Sequence, residues 1–123
     1  MTVTVLVVDD DPVIQRLLRV NFEMEGYEVL VAVDGVDGLE RARAEHPDIV
    51  VLDIMMPRMS GLDVAKSLKA DPDTASIPVL LLSAKAQEAD LVAGDESGAD
   101  DYLTKPFDPL HLLQRVEKLL AAD

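Results

Sequence analysis

Three short runs in this chain are aliphatic at every position: Val5-Leu6-Val7-Val8, Ile49-Val50-Val51-Leu52 and Val79-Leu80-Leu81-Leu82. A strand with one wet face alternates apolar and polar side chains, so a strand apolar at every step must be covered on both faces. A parallel sheet flanked by helices on both sides supplies that cover. The segments between the runs fit, because strand and helix patterns alternate five times. The predicted strands are Thr2–Val8, Glu28–Val33, Asp48–Asp53, Pro78–Ser83 and Asp101–Thr104. The predicted helices are Pro12–Glu25, Val36–Glu45, Leu62–Lys69, Ala86–Glu96 and Pro109–Ala121. Asp11 reads as the first N-cap with Pro12 behind it, Gly26 as the stop, and Asp108 as the cap of the last helix. Ile14, Leu17, Leu18 and Phe22 form the inward stripe of the first helix. Val36, Leu39 and Ala42 do so in the second, Leu62, Ala65 and Leu68 in the third, and Leu112, Leu113, Val116, Leu119 and Leu120 in the last. The second strand alternates, as an edge strand does. The helix over Ala86–Glu96 has the weakest pattern, with Gly94 inside it and acids near its end, against the helix dipole. The sum is one doubly wound (βα)₅ domain over residues 1–123.

Composition narrows the function. Apolar residues make up 49% of the 123 positions, enough for a core, and aromatics only 3%, so aliphatic side chains must fill it. The net charge of −13 argues against direct nucleic-acid binding, because phosphate backbones repel such a surface. There is no cysteine, which suits a reducing, cytoplasmic setting. No apolar run approaches the roughly 18 residues of a membrane span, and no basic n-region opens the chain.

The chemistry sits where the strands end. Asp9-Asp10-Asp11 follows the first strand; Asp53 closes the third, Ser83 the fourth, and Lys105-Pro106 follows the fifth. In an open parallel sheet those ends share one edge, the edge where such folds bind ligands. Taken singly, Asp53 reads as a turn cap, Ser83 as a helix cap, Lys105 as a surface lysine and Tyr102 as a half-buried core residue. Taken together they suit Mg²⁺-dependent phosphoryl transfer onto a carboxylate. Three clustered carboxylates call for a hard cation, for which Asp10, Asp53 and the backbone carbonyl of Met55 supply oxygen. Lys105 can neutralise phosphoryl oxygens, and Ser83 can donate to one. Glycine-rich nucleotide loops are absent, His46 and His111 form no pair, and no Ser-His-Asp set is apparent.

With Val5 to Asp11, Leu52-Asp53-Ile54-Met55-Met56-Pro57 and Gly61, Leu82-Ser83-Ala84, and Gly98 to Phe107, the chain resembles the receiver domain of two-component response regulators. The motifs stand in family order and span the chain. The resemblance implies a flavodoxin-like strand order 2-1-3-4-5, as in the chemotaxis receiver. It implies that Asp53 accepts phosphate from a histidine kinase or phosphotransfer protein. Asp9 and Asp10 would hold Mg²⁺ or Mn²⁺ with Asp53 and the Met55 carbonyl. Lys105 would pair with the phosphoryl group, Ser83 and Tyr102 would form a switch pair, and Ala84 would leave room for the phosphate. The Lys105–Pro106 peptide is expected to be cis, turning the lysine back over the strand ends. Such a domain is no enzyme beyond its own phosphorylation and slow dephosphorylation. Met55 and Lys85 flank the water's approach and cannot orient it, so the phosphoryl group should be long-lived.

Output is expected on the face built from the fourth helix, the fifth strand and the last helix, toward a protein partner. Arg58 departs from the glycine frequent in the loop after Asp53. Asp100, Asp101 and Arg115 fit a known dimer pattern, whereas Leu91, His111 and Ala122 do not, so a monomer or weak dimer is expected. Two other readings compete: a pseudo-receiver acting as a constitutive binding module, against which the intact Asp9, Asp10, Asp53, Ser83 and Lys105 set argues, and a small Mg²⁺ phosphatase, against which the absence of a substrate-pocket motif argues.

Overall fold

The structure, a computed structural model, describes residues 2–56, 58–83 and 98–121. Chain order runs β1 (Thr4–Val8), α1 (Pro12–Met24), β2 (Glu28–Ala32), α2 (Gly35–Glu45), β3 (Ile49–Asp53), α3 (Gly61–Ala70), β4 (Val79–Ser83), β5 (Asp101–Thr104) and a C-terminal helix (Pro109–Ala121). The strands form one parallel sheet ordered β2-β1-β3-β4-β5, with β2 at an edge as its alternation predicts. The helix expected over 86–96 lies outside the described residues, as do Ala84, Lys85, Leu91 and Ala122.

Strand alternation divides the core into two layers. Val5, Val7, Ile49, Val51, Leu80, Leu82 and Leu103 pack with Leu18 and Phe22 of α1 and with Leu112, Leu113 and Val116 of the C-terminal helix. Leu6, Val8, Val50, Leu52, Val79 and Leu81 pack with Ala42 of α2 and with Val64, Ala65 and Leu68 of α3. The all-aliphatic runs are buried at every position because both layers need them.

Three helix faces differ from expectation. Leu17 is 37% exposed and sits at the rim, because α1 has more apolar residues than the sheet can cover. In α2, Val36 and Leu39 are only partly covered, and the helix buries Gly35, Gly38 and Ala42 instead. Backbone lies close to the sheet there, since a Cβ on Gly38 would come within 2.7 Å of Val8 Cγ1. Similarly, α3 buries Val64 and leaves Leu62 half-covered.

Capping residues set the helix starts. Asp11 accepts from the Val13 amide at 2.9 Å, Asp34 from Asp37 at 2.8 Å and Ser60 from Asp63 at 3.2 Å. Gly26, at φ 84°, ends α1. Asp108 accepts from Leu110 at 2.9 Å and so caps the C-terminal helix. No helix among the described residues is long and apolar enough to cross a membrane.

Candidate functional site

Asp9, Asp53 and Lys105 have the same alternation parity as Val7, Val51 and Leu103, so all three project toward one side of the sheet edge. The contacts follow. Lys105 Nζ lies 3.2 Å from Asp9 Oδ2 and 3.4 Å from Asp53 Oδ2. Asp9 and Asp53 are buried and Asp10 is exposed, with one carboxylate oxygen of each lying within 4.8 Å of the others. Residues up to 96 positions apart thus meet at one point.

Secondary contacts fix each group. Asp9 Oδ1 accepts the Asp11 amide at 2.9 Å, and the Gln15 carboxamide donates to the Asp9 carbonyl oxygen. Gln15 carries no signal in sequence, because a polar residue in the first turns of a helix is ordinary. Ile54 donates to the Leu82 carbonyl at 3.0 Å, which carries the ladder past Asp53. Ser83 is buried at the end of β4, opposite Thr104, and its carbonyl accepts the Lys105 amide at 2.6 Å. The Lys105–Pro106 peptide is cis, as expected. Tyr102 is half-buried against the α2/α3 layer, on the sheet face that Leu81 and Ser83 share by alternation.

The electrostatics are unbalanced. Burial pushes the Asp53 carboxyl above its ordinary pKa, and the Asp9 charge pushes it further. Lys105 and the Met55 amide, which hydrogen-bonds the Asp53 carboxylate, oppose that rise without cancelling it. Among the described residues, two buried carboxylates and an exposed third face one ammonium. Such an oxygen-rich, positive-deficient set suits a hard divalent cation, so the residues fit Mg²⁺ or Mn²⁺. The Met55 side chain is 73% exposed, which leaves its backbone as the part facing the site.

The loop after β3 is closely seated. Gly61 donates to the Ile54 carbonyl at 2.9 Å, and a Cβ on Gly61 would stand 2.1 Å from the Asp53 carbonyl oxygen. Arg58, at φ 71°, reaches Asp34 Oδ2 at 3.0 Å. The departure noted at Arg58 therefore has a partner that sequence did not reveal.

Comparison with known proteins agrees with this geometry. Residues 5–117 match the family model of the response regulator receiver domain. The DNA-binding dual master transcriptional regulator RpaA of Synechocystis sp. is 49% identical over 94% of this chain and 48% of its own length. The alkaline phosphatase synthesis transcriptional regulatory protein PhoP of Bacillus subtilis is 45% identical over 98% of this chain and 49% of its own. The chain thus spans about half the length of the curated relatives it matches. Among solved structures, the chemotaxis protein CheY4 of Vibrio cholerae superposes with a TM-score of 0.91 at 29% identity, over 97% of this chain and 99% of that one. The receiver domain of a Francisella response regulator gives 0.89 at 37% identity, over 97% of each chain. An acidic pair after β1, an aspartate closing β3 and a lysine after β5 meet in a sheet ordered like theirs, and this chain belongs to the response regulator receiver domain family.

Proposed function

We propose that the domain is a phosphorylation-switched receiver with Asp53 as its acceptor. An Asp53 carboxylate oxygen attacks phosphorus of a phosphohistidine on a kinase or phosphotransfer protein. The new O–P bond forms as the P–N bond breaks, and the departing imidazole nitrogen keeps the electron pair and takes a proton from solvent. Lys105 holds a positive charge beside the oxygens on which negative charge builds, and Ser83 offers a donor from the neighbouring strand end. Asp9, Asp10, Asp53 and the Met55 carbonyl would hold Mg²⁺ or Mn²⁺, which when bound supplies further positive charge to the transferring group. The observation that carries this reading is the convergence of buried Asp9 and Asp53 on Lys105. The chain catalyses only its own phosphorylation and slow hydrolysis, and passes its signal to a protein partner in the cytoplasm.

We also propose where the donor docks. Val13, Leu17, Val20 and Met24 form an exposed apolar stripe along α1, which starts beside the Asp9–Asp11 turn. A groove of about 300 Å³, lined by Ile14, Leu17, Lys105, Pro106 and Phe107, continues it to the lysine that contacts Asp53. A helix carrying the phosphohistidine fits this stripe, whose apolar positions recur at helical spacing.

Incubation with Mg²⁺ and acetyl phosphate, read by intact mass, tests the reading. One stable phosphoryl adduct, absent in Asp53→Asn, is expected. No adduct would instead favour a constitutive binding module, and turnover to free phosphate would favour a phosphatase.

A further inference from the structure

The loop between β3 and α3 leaves Asp53 and returns to it. Its base is closed by the Gly61 amide on the Ile54 carbonyl and by the seating of Gly61 on the Asp53 backbone. Its far side rests on the start of α2, where a Cβ on Gly35 would stand 2.1 Å from the Met59 carbonyl oxygen. Between these supports Arg58 crosses to Asp34 at 3.0 Å.

Three features set this ion pair apart from an ordinary surface pair. Asp34 is buried, with a side chain only 10% exposed against 62% for Arg58, so its charge has little water to answer it. Its two oxygens are divided, Oδ1 capping α2 through the Asp37 amide and Oδ2 taking the guanidinium. Arg58 also holds a left-handed backbone at φ 71°, which glycine adopts freely and arginine does not. An arginine kept there, with its side chain on a buried carboxylate, fixes the loop at a conformational cost. Within the same loop Met55 donates its amide to the Asp53 carboxylate, so where the loop lies decides how that carboxylate is presented.

We propose that Arg58 and Asp34 are positioning residues for phosphoryl acceptance: their ion pair pins the β3–α3 loop to the N-terminus of α2 and so holds the Met55 backbone against Asp53. The proposal rests on Asp53 being the acceptor. Neither residue touches the reacting atoms; both act through the loop.

A double-mutant cycle tests it. Asp34→Asn keeps an oxygen for the α2 cap but loses the charge, and Arg58→Gln loses the guanidinium. Each should slow adduct formation from acetyl phosphate about tenfold, a moderate share of the ~100-fold that a 1 Å misplacement can cost. The double variant should be no slower than the slower single, because one interaction is lost once. Arg58→Lys should recover part of the rate. Arg58→Gly relieves the left-handed backbone, so its melting temperature should hold or rise while its rate falls, a split that a merely structural role would not give. Independently of phosphorylation, amide exchange at Met55 in the metal-free protein should speed up in Arg58→Gln and Asp34→Asn. Multiplicative effects of the two substitutions, rates close to wild type, or unchanged Met55 exchange would each overturn the clamp. Failure of the wild type to take any phosphate would instead overturn the acceptor reading, and the Met55 exchange would still judge the clamp.

Discussion

Asp53 is buried beside a second buried carboxylate, and the net effect on its carboxyl is a raised pKa, caused first by desolvation and then by Asp9. A raised carboxyl binds its proton more tightly in the folded chain than in the unfolded one. Folding therefore loses stability as pH rises from the ordinary carboxylate range, near 4, through the folded pKa, and the whole loss is present above it. Asp53→Asn removes the charge and leaves Lys105 its contact with Asp9. In metal-free buffer at pH 7 this variant should melt higher than wild type, and the advantage should shrink as pH falls toward 4. Melting curves at both pH values decide it, and an advantage independent of pH would show that the Asp53 charge is not its source. Met55 carries an exposed apolar side chain next to the site and offers no group to orient water. Met55→Asn combined with Lys85→Glu should shorten the phosphoryl lifetime, followed as loss of adduct by intact mass.

The two faces of α1 differ sharply in burial. Phe22 is fully buried between the sheet and the C-terminal helix, and Phe22→Ala should cost about 3–5 kcal/mol by chemical denaturation. Leu17 lies at the rim of the outward stripe, so Leu17→Asp should cost about 1 kcal/mol, well short of Phe22→Ala. It should nonetheless slow transfer from a phosphohistidine protein while leaving acetyl phosphate as good a donor as before. Equal slowing with both donors would place the defect in the Asp53 pocket and not in docking. The same helix shows what sequence makes legible. Asp11-Pro12 and Gly26 mark its ends because capping and chain reversal need particular residue types. Its buried face was less legible, since seven apolar residues from Val13 to Met24 wrap most of the helix and spacing alone does not say which the sheet will cover. In α2 two of the three buried residues are glycines, which carry no hydrophobic signal, so Val36 and Leu39 drew the expectation beside Ala42. The strand-end set Asp9, Asp10, Asp53, Ser83 and Lys105 was legible because parallel strands send their ends to one edge. Its supports, Gln15 on Asp9 and Arg58 on Asp34, were not: a polar residue early in a helix is ordinary, and a contact 24 positions apart leaves no local pattern.

Across the whole molecule, the acids near β5 are already engaged within the chain. Arg115 Nη1 lies 2.6 Å from Asp101 Oδ2, and Lys69 Nζ lies 2.8 Å from Asp100 Oδ2. Pairs satisfied internally are less available to bridge two copies, so sedimentation with beryllofluoride should report a monomer or a weak dimer. The net charge of −13 acts at this scale too. Mutual repulsion opposes the compact state, and Asp9, Asp10 and Asp53 add to it where they gather about Lys105. A divalent cation that binds the folded cluster and not the unfolded chain must stabilise by mass action. At ten times its dissociation constant the gain is about 1.4 kcal/mol, a few degrees in melting temperature for a domain of this size. The proposed site therefore predicts a melting temperature that climbs with Mg²⁺ at fixed ionic strength. Asp10→Asn should blunt the climb: Asp10 is the exposed member of the set, so its loss removes a ligand without opening the core. A melting temperature indifferent to Mg²⁺, with sodium chloride adjusted to match, would mean that the three carboxylates do not form a cation site.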